Sequence, residues 1–176
     1  MPGIDESRPF HPVGFKVITV SDTRTFADDA SGDTLAARIE SAGHRLAGRA
    51  IVKDDSTHIR DAVMAGVEDA DTDVVITTGG TGFTGRDVTP ETVEPLFAKR
   101  MDGFSALFHA VSAGKIGTST MQSRCTAGLI ESTFVFVLPG SPGACKDAWD
   151  NILVQQFDFR FRPCNFVELM PRLAER

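Results

Sequence analysis

Short apolar runs alternate along this chain with segments whose apolar residues recur at helical spacing. The clearest runs are residues 15–20 (FKVITV), 73–78 (DVVITT) and 133–138 (TFVFVL). Continuous apolar runs of this length, rich in β-branched and aromatic residues, predict strands buried on both faces of a sheet. Strands that alternate with helices form βαβ units, whose strands are parallel. The chain is therefore predicted to fold as an α/β protein, a three-layer α/β/α domain with a mostly parallel sheet.

The first helical stripe consists of Leu35, Ala36, Ile39 and Ala42, and it predicts a helix that stops at Gly43. Later stripes have the same spacing of three or four residues. The remaining predicted elements are a strand at 46–52 and helices over 59–70, over 89–111 with a break near Gly103, and from Ser141 to Leu153.

The domain organisation follows from where this alternation begins. Residues 1–13 contain three prolines and no apolar stretch, which predicts a mobile N-terminal tail and not a secretory signal. Residues 14–176 contain no linker, internal repeat or low-complexity tract and predict a single domain. Within it, residues 115–132 are rich in small polar residues and glycine, and no strand is predicted there.

The charge balance is acidic, with 24 Asp and Glu against 18 Lys and Arg. A broad nucleic-acid surface needs clustered positive charge, so that class of function is excluded, although a small basic pocket is not. No apolar run reaches the roughly 18 residues of a membrane helix. Cys125, Cys145 and Cys164 lack any metal-binding spacing. They predict free, mostly buried thiols in a reducing compartment, and hence a cytoplasmic protein.

Polar loops follow three of the predicted strands, at residues 21–32, 79–89 and 139–141. In an open α/β sheet, ligands bind outside the carboxyl ends of the strands. We therefore expect these loops to meet at one edge of the sheet and to form the functional site.

The loop from Gly79 to Gly85 has two interpretations, a phosphate-binding loop and a tight turn without a ligand. Its glycines would let backbone N–H groups approach an anion. Gly80, Gly82 and Gly85 also satisfy the pattern GxGxxG, and Asp102 lies near the distance of a ribose-binding acid. A nicotinamide-binding site is disfavoured, because the loop follows about the third strand and the next helix is delayed. Thr89 and Pro90 are predicted to be the N-cap and the first residue of that helix.

Several carboxylates fall at the same edge. Asp87 follows Arg86 between the glycine loop and a helix start, and it is either a helix cap or a Mg²⁺ ligand. Arg86 either pairs with Asp87 or holds a phosphate. Asp54 and Asp55 follow the second strand and are either a solvated helix-start pair or contributors to a two-carboxylate metal site.

Hydroxyl-bearing segments complete the edge. Each is predicted either to cap or solvate its neighbouring element or to bind a polar ligand, and Ser141 either caps the last helix or helps to bind an anion. The segments are Ser21-Asp22, Ser31-Gly32-Asp33, Pro139-Gly140-Ser141-Pro142, and Ser119, Thr120, Ser123 and Arg124 with Lys115 nearby.

The four histidines lie outside these segments, and no GxSxG or Walker A pattern occurs. Acyl transfer and P-loop chemistry are therefore disfavoured.

In this order and spacing, the segments resemble the MoaB/MogA family of molybdenum-cofactor biosynthesis proteins, which is related to domains of gephyrin. The resemblance covers roughly residues 14–166. It is carried by Val20-Ser21-Asp22, Ser31-Gly32-Asp33, Thr77-Thr78-Gly79-Gly80-Thr81-Gly82, Arg86-Asp87-Val88-Thr89-Pro90-Glu91 and Leu138-Pro139-Gly140-Ser141. The ending Arg162-Pro163-Cys164-Asn165-Phe166 is more similar to the MoaB branch.

The resemblance implies two sets of site residues. Asp54 and Asp87 match the two family carboxylates and are implied as catalytic residues and Mg²⁺ ligands. Contacts to ATP and molybdopterin are implied for Ser21, Asp22, Gly79, Gly80, Thr81, Gly82, Arg86, Ser123, Arg124, Pro139, Gly140 and Ser141.

The implied reaction is adenylylation of molybdopterin by ATP and Mg²⁺, with release of pyrophosphate. The attacking group is the phosphate of the pterin, so positioning and charge neutralisation suffice and no strong general base is needed. The alternative is a non-catalytic molybdopterin-binding or scaffold protein of the same pathway. The resemblance also implies a homo-oligomer, a trimer or a hexamer, with other cofactor-biosynthesis proteins as possible partners.

Overall fold

The computed structural model of the chain describes residues 1–175. The strands are β1 (Gly3–Ile4), β2 (Gly14–Val20), β3 (Arg45–Val52), β4 (Val74–Thr78), β5 (Lys99–Arg100), β6 (Thr126–Ile130), β7 (Thr133–Leu138) and β8 (Phe161–Arg162). The α-helices are α1 (Ala30–Ser41), α2 (Ser56–Val67), α3 (Thr89–Val93), α4 (Asp102–Ile116), α5 (Pro142–Ala148) and α6 (Val154–Gln156). A π-helical turn, Trp149–Leu153, joins α5 to α6, and 3₁₀ turns span Glu94–Leu96, Gly117–Gln122 and Met170–Arg172.

The main sheet has six strands in the order β3-β2-β4-β7-β6-β5. The first four are parallel to one another, whereas β6 runs antiparallel to both of its neighbours. The predicted α/β class with a mostly parallel sheet is confirmed.

Helices cover both faces of this sheet, because the central strands are apolar on both sides. Val74 and Ile76 in β4 face a cluster that includes residues of α1, α4 and α5, and Val75 between them faces a second cluster with α2 and α3. All three side chains are fully buried. The alternation of side chains along a strand thus produces the three predicted layers.

The order of the strands creates a crevice at the carboxyl end of β2. After β2 the chain adds β3 on one side, and it later returns to add β4 on the other side. The loops that leave β2 and β4 therefore diverge from neighbouring strands, which is where open α/β sheets bind ligands.

The main difference from the predicted elements lies in residues 115–132, where β6 forms. Its small residues are used for packing, since a Cβ on Gly128 would lie 2.4 Å from Cγ of Phe97. The predicted helix over 89–111 is also interrupted earlier than Gly103. It ends at Val93, and β5 adds a short edge strand before α4 begins.

The predicted mobile tail at residues 1–13 is instead packed against the C-terminal part of the chain. β1 pairs antiparallel with β8, and the backbone N–H of Asp5 donates to the carbonyl of Arg160 at 2.9 Å. Arg8 pairs with Glu168, and its guanidinium lies 3.8 Å from the centre of the Phe159 ring. The partners are more than 150 residues away, so the local sequence carries no sign of this pairing. The assignment of residues 14–176 to one domain stays a prediction.

Of the helices in residues 1–175, none combines the length and the apolar character needed to cross a membrane.

Candidate functional site

The loops after β2, β3, β4 and β7 meet at the carboxyl edge of the sheet. The N–H of Asp54 donates to Oδ1 of Asp22 at 3.2 Å, and the N–H of Val88 donates to Oδ1 of Asp54 at 3.4 Å. Oγ of Ser31 donates to the carbonyl of Gly140 at 2.8 Å. The segments that the sequence predicted to converge here are therefore in direct contact.

Glycine is required where the loop after β4 turns away from the strand. Gly79 and Gly80 have φ values of 106° and 64°, which L side chains rarely adopt. A Cβ on Gly79 would lie 2.3 Å from the carbonyl oxygen of Val20, and one on Gly80 would lie 2.2 Å from Oγ1 of Thr89. The strand end, the loop and the start of α3 can approach this closely only because both residues lack a side chain.

Thr89 locks the other end of this turn. Its N–H donates to the carbonyl of Gly80 at 3.0 Å, and its hydroxyl donates to the carbonyl of Gly79 at 3.0 Å. Thr89 is the first residue of α3, and the cap position is Val88, which offers no side-chain bond. The prediction that Thr89 caps the helix is therefore wrong, because its hydroxyl serves the glycine loop instead.

Asp87 also faces back over the loop. Its Oδ2 accepts hydrogen bonds from the backbone N–H of Thr84, at 3.0 Å, and from the Thr84 hydroxyl. These bonds, with the Thr84 hydroxyl foremost and the charge of Arg124 adding to them, lower the pKa of the Asp87 carboxyl. Of its two open interpretations, the helix cap is wrong, and Asp87 presents an ionised carboxylate at the loop.

Asp54 and Asp55 have separate roles. Asp55 caps α2, and its carboxylate accepts from the N–H groups of Thr57 and His58 at 3.0 and 3.2 Å. Asp54 points to the sheet edge, where partial burial, followed by the negative charges of Asp87 and Asp22, raises its pKa. The interpretation as a helix-start pair thus holds for one residue, and the other contributes to a crowded group of carboxylates.

A cation suits this arrangement. Mg²⁺ in nucleotide sites commonly takes one or two carboxylates and completes its coordination with phosphates and water. Asp54 and Asp87 supply two, and their mutual repulsion would be relieved by a positive ion between them. Within residues 1–175, no group of three or more His, Cys, Asp or Glu side chains is arranged to hold a metal. A magnesium site here stays a prediction that depends on the phosphates of a ligand.

Three basic residues that the sequence placed at the site have acidic partners. Arg86 pairs with Asp22 and not with Asp87, and Lys115 pairs with Asp147. Arg124 forms an ion pair with Glu91.

Arg124 also makes two hydrogen bonds that straddle the glycine loop. Its Nε donates to the carbonyl of Thr81 at 3.2 Å, and its Nη2 donates to the carbonyl of Asp87 at 2.9 Å. Phe83, at the tip of the loop, lies with its ring centre 5.2 Å from the guanidinium carbon. Arg124 therefore closes both ends of the segment 81–87.

One residue of this edge was missed by sequence reasoning. Asp29 is fully buried and caps α1 by accepting from the N–H of Gly32 at 3.0 Å. It also accepts from Oγ1 of Thr19 at 2.7 Å and from Nη2 of Arg49 at 2.9 Å. Neither Ser21-Asp22 nor Ser31-Gly32-Asp33 is the cap. The sequence signal that could have identified this cap is the position of Asp29, three residues before Gly32 at the start of the helix.

The remaining predicted residues are placed around the crevice. Ser141 caps α5 by accepting from the N–H of Ala144 at 3.2 Å, as one of its two interpretations predicted. Oγ of Ser21 accepts from the N–H of Arg24 at 3.2 Å. Ser123 and Ser141 both line a cavity of about 370 Å³ between α4 and α5.

Two further predicted residues contact the glycine loop or its strand. The carbonyl of Pro139 accepts from the Thr78 hydroxyl at 2.9 Å, and a Cβ on Gly82 would lie 2.8 Å from Oδ2 of Asp87.

The thiols behave mostly as the sequence predicted. Cys125 and Cys145 are buried and free, and Cys164 is free but exposed. Burial raises the pKa of the Cys145 thiol to about 11, so it stays protonated at neutral pH.

The histidines have other tasks. His11 packs on Phe159, His44 lies in the core, His58 contacts the helix cap Asp55, and His109 contacts Thr120. Among the described residues, none of the four bonds to the carboxylates Asp54 and Asp87.

Comparison with known proteins identifies a family. Residues 16–158 match the family model described as "Probable molybdopterin binding domain". The chain is 44% identical over 160 residues to Molybdenum cofactor biosynthesis protein B of Escherichia coli (strain K12), which covers 91% of this chain and 94% of the relative.

Solved structures agree with this match. A crystal structure of Molybdenum cofactor biosynthesis protein B superposes with a TM-score of 0.86 at 38% identity, covering 96% of this chain and 100% of the other. The tungsten cofactor synthesizing protein MoaB from Pyrococcus furiosus superposes with a TM-score of 0.72 at 37% identity, covering 80% and 90%.

Proposed function

This chain belongs to the molybdopterin-binding domain family of molybdenum cofactor biosynthesis proteins, and from that premise we propose that it is a molybdopterin adenylyltransferase. It would transfer AMP from ATP to the phosphate of molybdopterin and release pyrophosphate. The observation that carries this proposal is the convergence of Asp54, Asp87 and the glycine loop at one edge of the sheet.

The reaction needs few groups from the protein. A phosphate oxygen of the pterin forms a bond to the α-phosphorus of ATP, and the bond from that phosphorus to the β-phosphate bridge breaks. The electron pair leaves with pyrophosphate. Because the nucleophile is already an anion, the residues need only to orient it and to balance charge. The absence of a histidine bonded to Asp54 or Asp87 within residues 1–175 is consistent with that requirement.

Each part of the edge has a role in this scheme. Asp54 and Asp87 would hold Mg²⁺, which when bound supplies charge neutralisation at the ATP phosphates. The backbone N–H groups of Gly80 and Thr81 would face those phosphates. The N–H of Gly79 donates to the carbonyl of Leu138, and that of Gly82 bonds to Asp87. The hydrogen bonds from Thr84 keep Asp87 ionised and fix its direction, so that the carboxylate is ready to coordinate.

An assay of the transfer tests the proposal. The protein is incubated with molybdopterin, ATP and Mg²⁺, and adenylylated pterin and pyrophosphate are quantified. We expect turnover by the unaltered chain, and for Asp87→Asn a rate lower by about two decades or more, because a metal ligand contributes several kcal/mol to barrier lowering.

Asp55→Asn is the matched control for Asp87→Asn. Asp55 lies beside Asp54 but caps α2, and asparagine also caps helices, so its rate is expected to stay within a few-fold of the unaltered chain. Equal rates for Asp87→Asn and the unaltered chain would contradict the role of Asp87 as a metal ligand.

A second candidate function is non-catalytic binding of molybdopterin within the same pathway. It is favoured by the ion pairs of Arg86 with Asp22 and of Arg124 with Glu91, which occupy two cations expected to meet ATP phosphates. Binding of molybdopterin without ATP binding and without pyrophosphate release would establish this function over the first.

A homo-oligomer, trimer or hexamer, stays part of the proposal. Leu107, Ile116 and Met121 are more than half exposed on α4 and the turn after it. Leu107 also borders an apolar cavity of about 470 Å³ beside Phe104 and Phe166. Exposed apolar side chains of this kind support a contact between copies. A cytoplasmic location, other cofactor-biosynthesis proteins as partners and the absence of nucleic-acid binding likewise stay predictions.

A further inference from the structure

The proposed ligands carry several negative charges, yet most basic side chains near the carboxyl edge are already committed. Arg86 pairs with Asp22, and Lys115 pairs with Asp147. Arg124 directs each of its three nitrogen atoms to Thr81, Asp87 or Glu91. A ligand phosphate could bind these groups only by breaking existing contacts.

Arg24 differs from them because only one of its three guanidinium nitrogens makes a contact. Its Nη1 donates to Oγ of Ser31 at 3.1 Å, and no hydrogen bond from Nε or Nη2 occurs within the described part of the chain. The side chain is 33% exposed, so the guanidinium is partly desolvated but still reachable. A planar guanidinium with free N–H groups is suited to the two-pronged recognition of phosphate.

The position of Arg24 joins two loops of the site. Its own loop follows β2, and Ser31, which receives its hydrogen bond, donates in turn to the carbonyl of Gly140 in the loop after β7. The charge of Arg24 also acts on the Cys145 thiol beneath that second loop, where it opposes the rise in pKa that burial causes. Arg24 thus lies where the crevice is bounded by both loops.

The structural contacts of Arg24 use only Nη1 of its guanidinium. Nη1 also forms a long ion pair with Asp29, at 3.9 Å from Oδ1, which is beyond hydrogen-bond distance. Asp29 already accepts from Gly32, Thr19 and Arg49 at 2.7–3.0 Å. Its buried charge is therefore compensated without Arg24.

We propose, on the basis of the proposed function, that Arg24 is a ligand-binding residue that holds a phosphate group of the substrate at the crevice between the β2 and β7 loops. The phosphate belongs either to the nucleotide or to the pterin, and binding measurements distinguish the two.

Calorimetric titration of Arg24→Met with MgATP and, separately, with molybdopterin tests this role. Loss of a charged, two-pronged contact is expected to weaken binding of one of the two ligands by about 10- to 100-fold. A weaker MgATP complex assigns the contact to the nucleotide, and a weaker molybdopterin complex assigns it to the pterin. Arg24→Lys keeps the charge without the planar fork, so an intermediate loss is expected.

Arg38→Met is the matched control. Arg38 lies in α1, the helix that follows the loop of Arg24, and it pairs with Asp150 at the surface. The affinities of this variant for MgATP and for molybdopterin are expected to stay within about twofold of the unaltered chain. Thermal unfolding of each variant shows that it is folded, and Arg24→Gln replaces Arg24→Met if the latter does not fold.

Two results would overturn the role of Arg24: unchanged affinity for both ligands in the folded variants, or no binding of either ligand by the unaltered chain. Failure of the proposed function looks different. In that case the unaltered chain binds a phosphate ligand in a manner that depends on Arg24, yet releases no pyrophosphate.

Discussion

At the scale of single residues, two adjacent threonines of β4 differ in hydrogen bonding because their side chains point to opposite faces of the sheet. Thr78 faces α5, where its hydroxyl donates to the carbonyl of Pro139 at 2.9 Å and contacts Sγ of Cys145. Thr77 faces the opposite layer, and its fully buried Oγ1 has no hydrogen-bond partner within residues 1–175. A buried polar group without a partner costs about 1–3 kcal/mol.

Replacing these hydroxyls should therefore have opposite effects. We expect Thr77→Val to raise the free energy of unfolding by about 1 kcal/mol, because it removes an unsatisfied hydroxyl and adds a methyl group of similar size. Thr78→Val should lower it by about 1 kcal/mol, since the carbonyl of Pro139 loses its hydroxyl donor and keeps only the weak Cys145 thiol. Urea unfolding of both variants measures the difference, and equal destabilisation by the two would refute the assignment.

The amino-acid sequence predicted the location of the site more accurately than the role of each residue in it. The carboxylates Asp54 and Asp87 follow strands, and strand ends are enough to place them at one edge. Which aspartate caps and which points into the crevice depends on the direction of each side chain, and Asp54 and Asp55 are indistinguishable in that respect from the sequence. Whether the guanidinium nitrogens of Arg24 have hydrogen-bond partners depends on residues from other segments, so no local sequence pattern could predict it.

At the scale of elements, the glycine loop is held in place by residues from other elements. Gly79 and Gly80 allow the sharp turn at one end, and Arg124, which precedes β6, holds the loop by the carbonyls of Thr81 and Asp87. The position of Asp87 is therefore determined partly by a residue from a distant segment of the chain.

Removing that fastening should loosen the loop. In Arg124→Met, trypsin cleavage after Arg86 is expected to become about tenfold faster or more, because the open state of the loop gains population when both hydrogen bonds are lost. Mass spectrometry of timed digests follows the fragment ending at Arg86. Glu91→Gln removes only the exposed ion pair and should cleave at nearly the original rate. Equal rates in Arg124→Met and the unaltered chain would show that Arg124 does not hold the loop.

The elements that the sequence predicted were those with strong periodic patterns. β2, β4 and β7 are continuous apolar runs, and their observed bounds differ from the predicted ones by at most one residue. β6 escaped prediction because its Thr, Ala and Gly residues pack through close approach, as Gly128 does against Phe97, and this leaves no hydrophobic pattern.

At the scale of the whole molecule, His44 joins the first part of the chain to the core. It is 6% exposed, and its Nδ1 accepts from the N–H of Val13 at 3.2 Å. Phe10, Phe15 and Trp149 surround the ring, with centroid distances of 5.1 to 6.1 Å. Burial lowers the pKa of His44 from 6.5 to about 4, against an opposing effect of Asp158.

This burial predicts how stability depends on pH. Above pH 6.5 the imidazole is neutral in both the folded and unfolded chains, and its contribution to stability is complete. As the pH falls from 6.5 to about 4, the unfolded chain binds a proton that the folded chain refuses, so the free energy of unfolding decreases, by roughly 3 kcal/mol in total. Urea unfolding across this range measures the slope.

His44→Gln should flatten the slope between pH 6.5 and 4.5, because the amide can still accept a hydrogen bond but does not titrate. An unchanged slope in this variant would assign the pH dependence to other groups, of which Asp158, with a lowered pKa, is the nearest.

The pairing of β1 with β8 has a practical consequence for handling the molecule. The helical stretch from Pro142 to Gln156 begins at the carboxyl edge and runs 15 residues, about 20 Å, back along the sheet. β8 and β1 therefore lie at the opposite end from the crevice. Attaching the first residues of this chain to a sensor chip, a bead or a neighbouring fused protein would therefore orient the crevice away from the anchor. Ligands in the flowing buffer would reach it without obstruction.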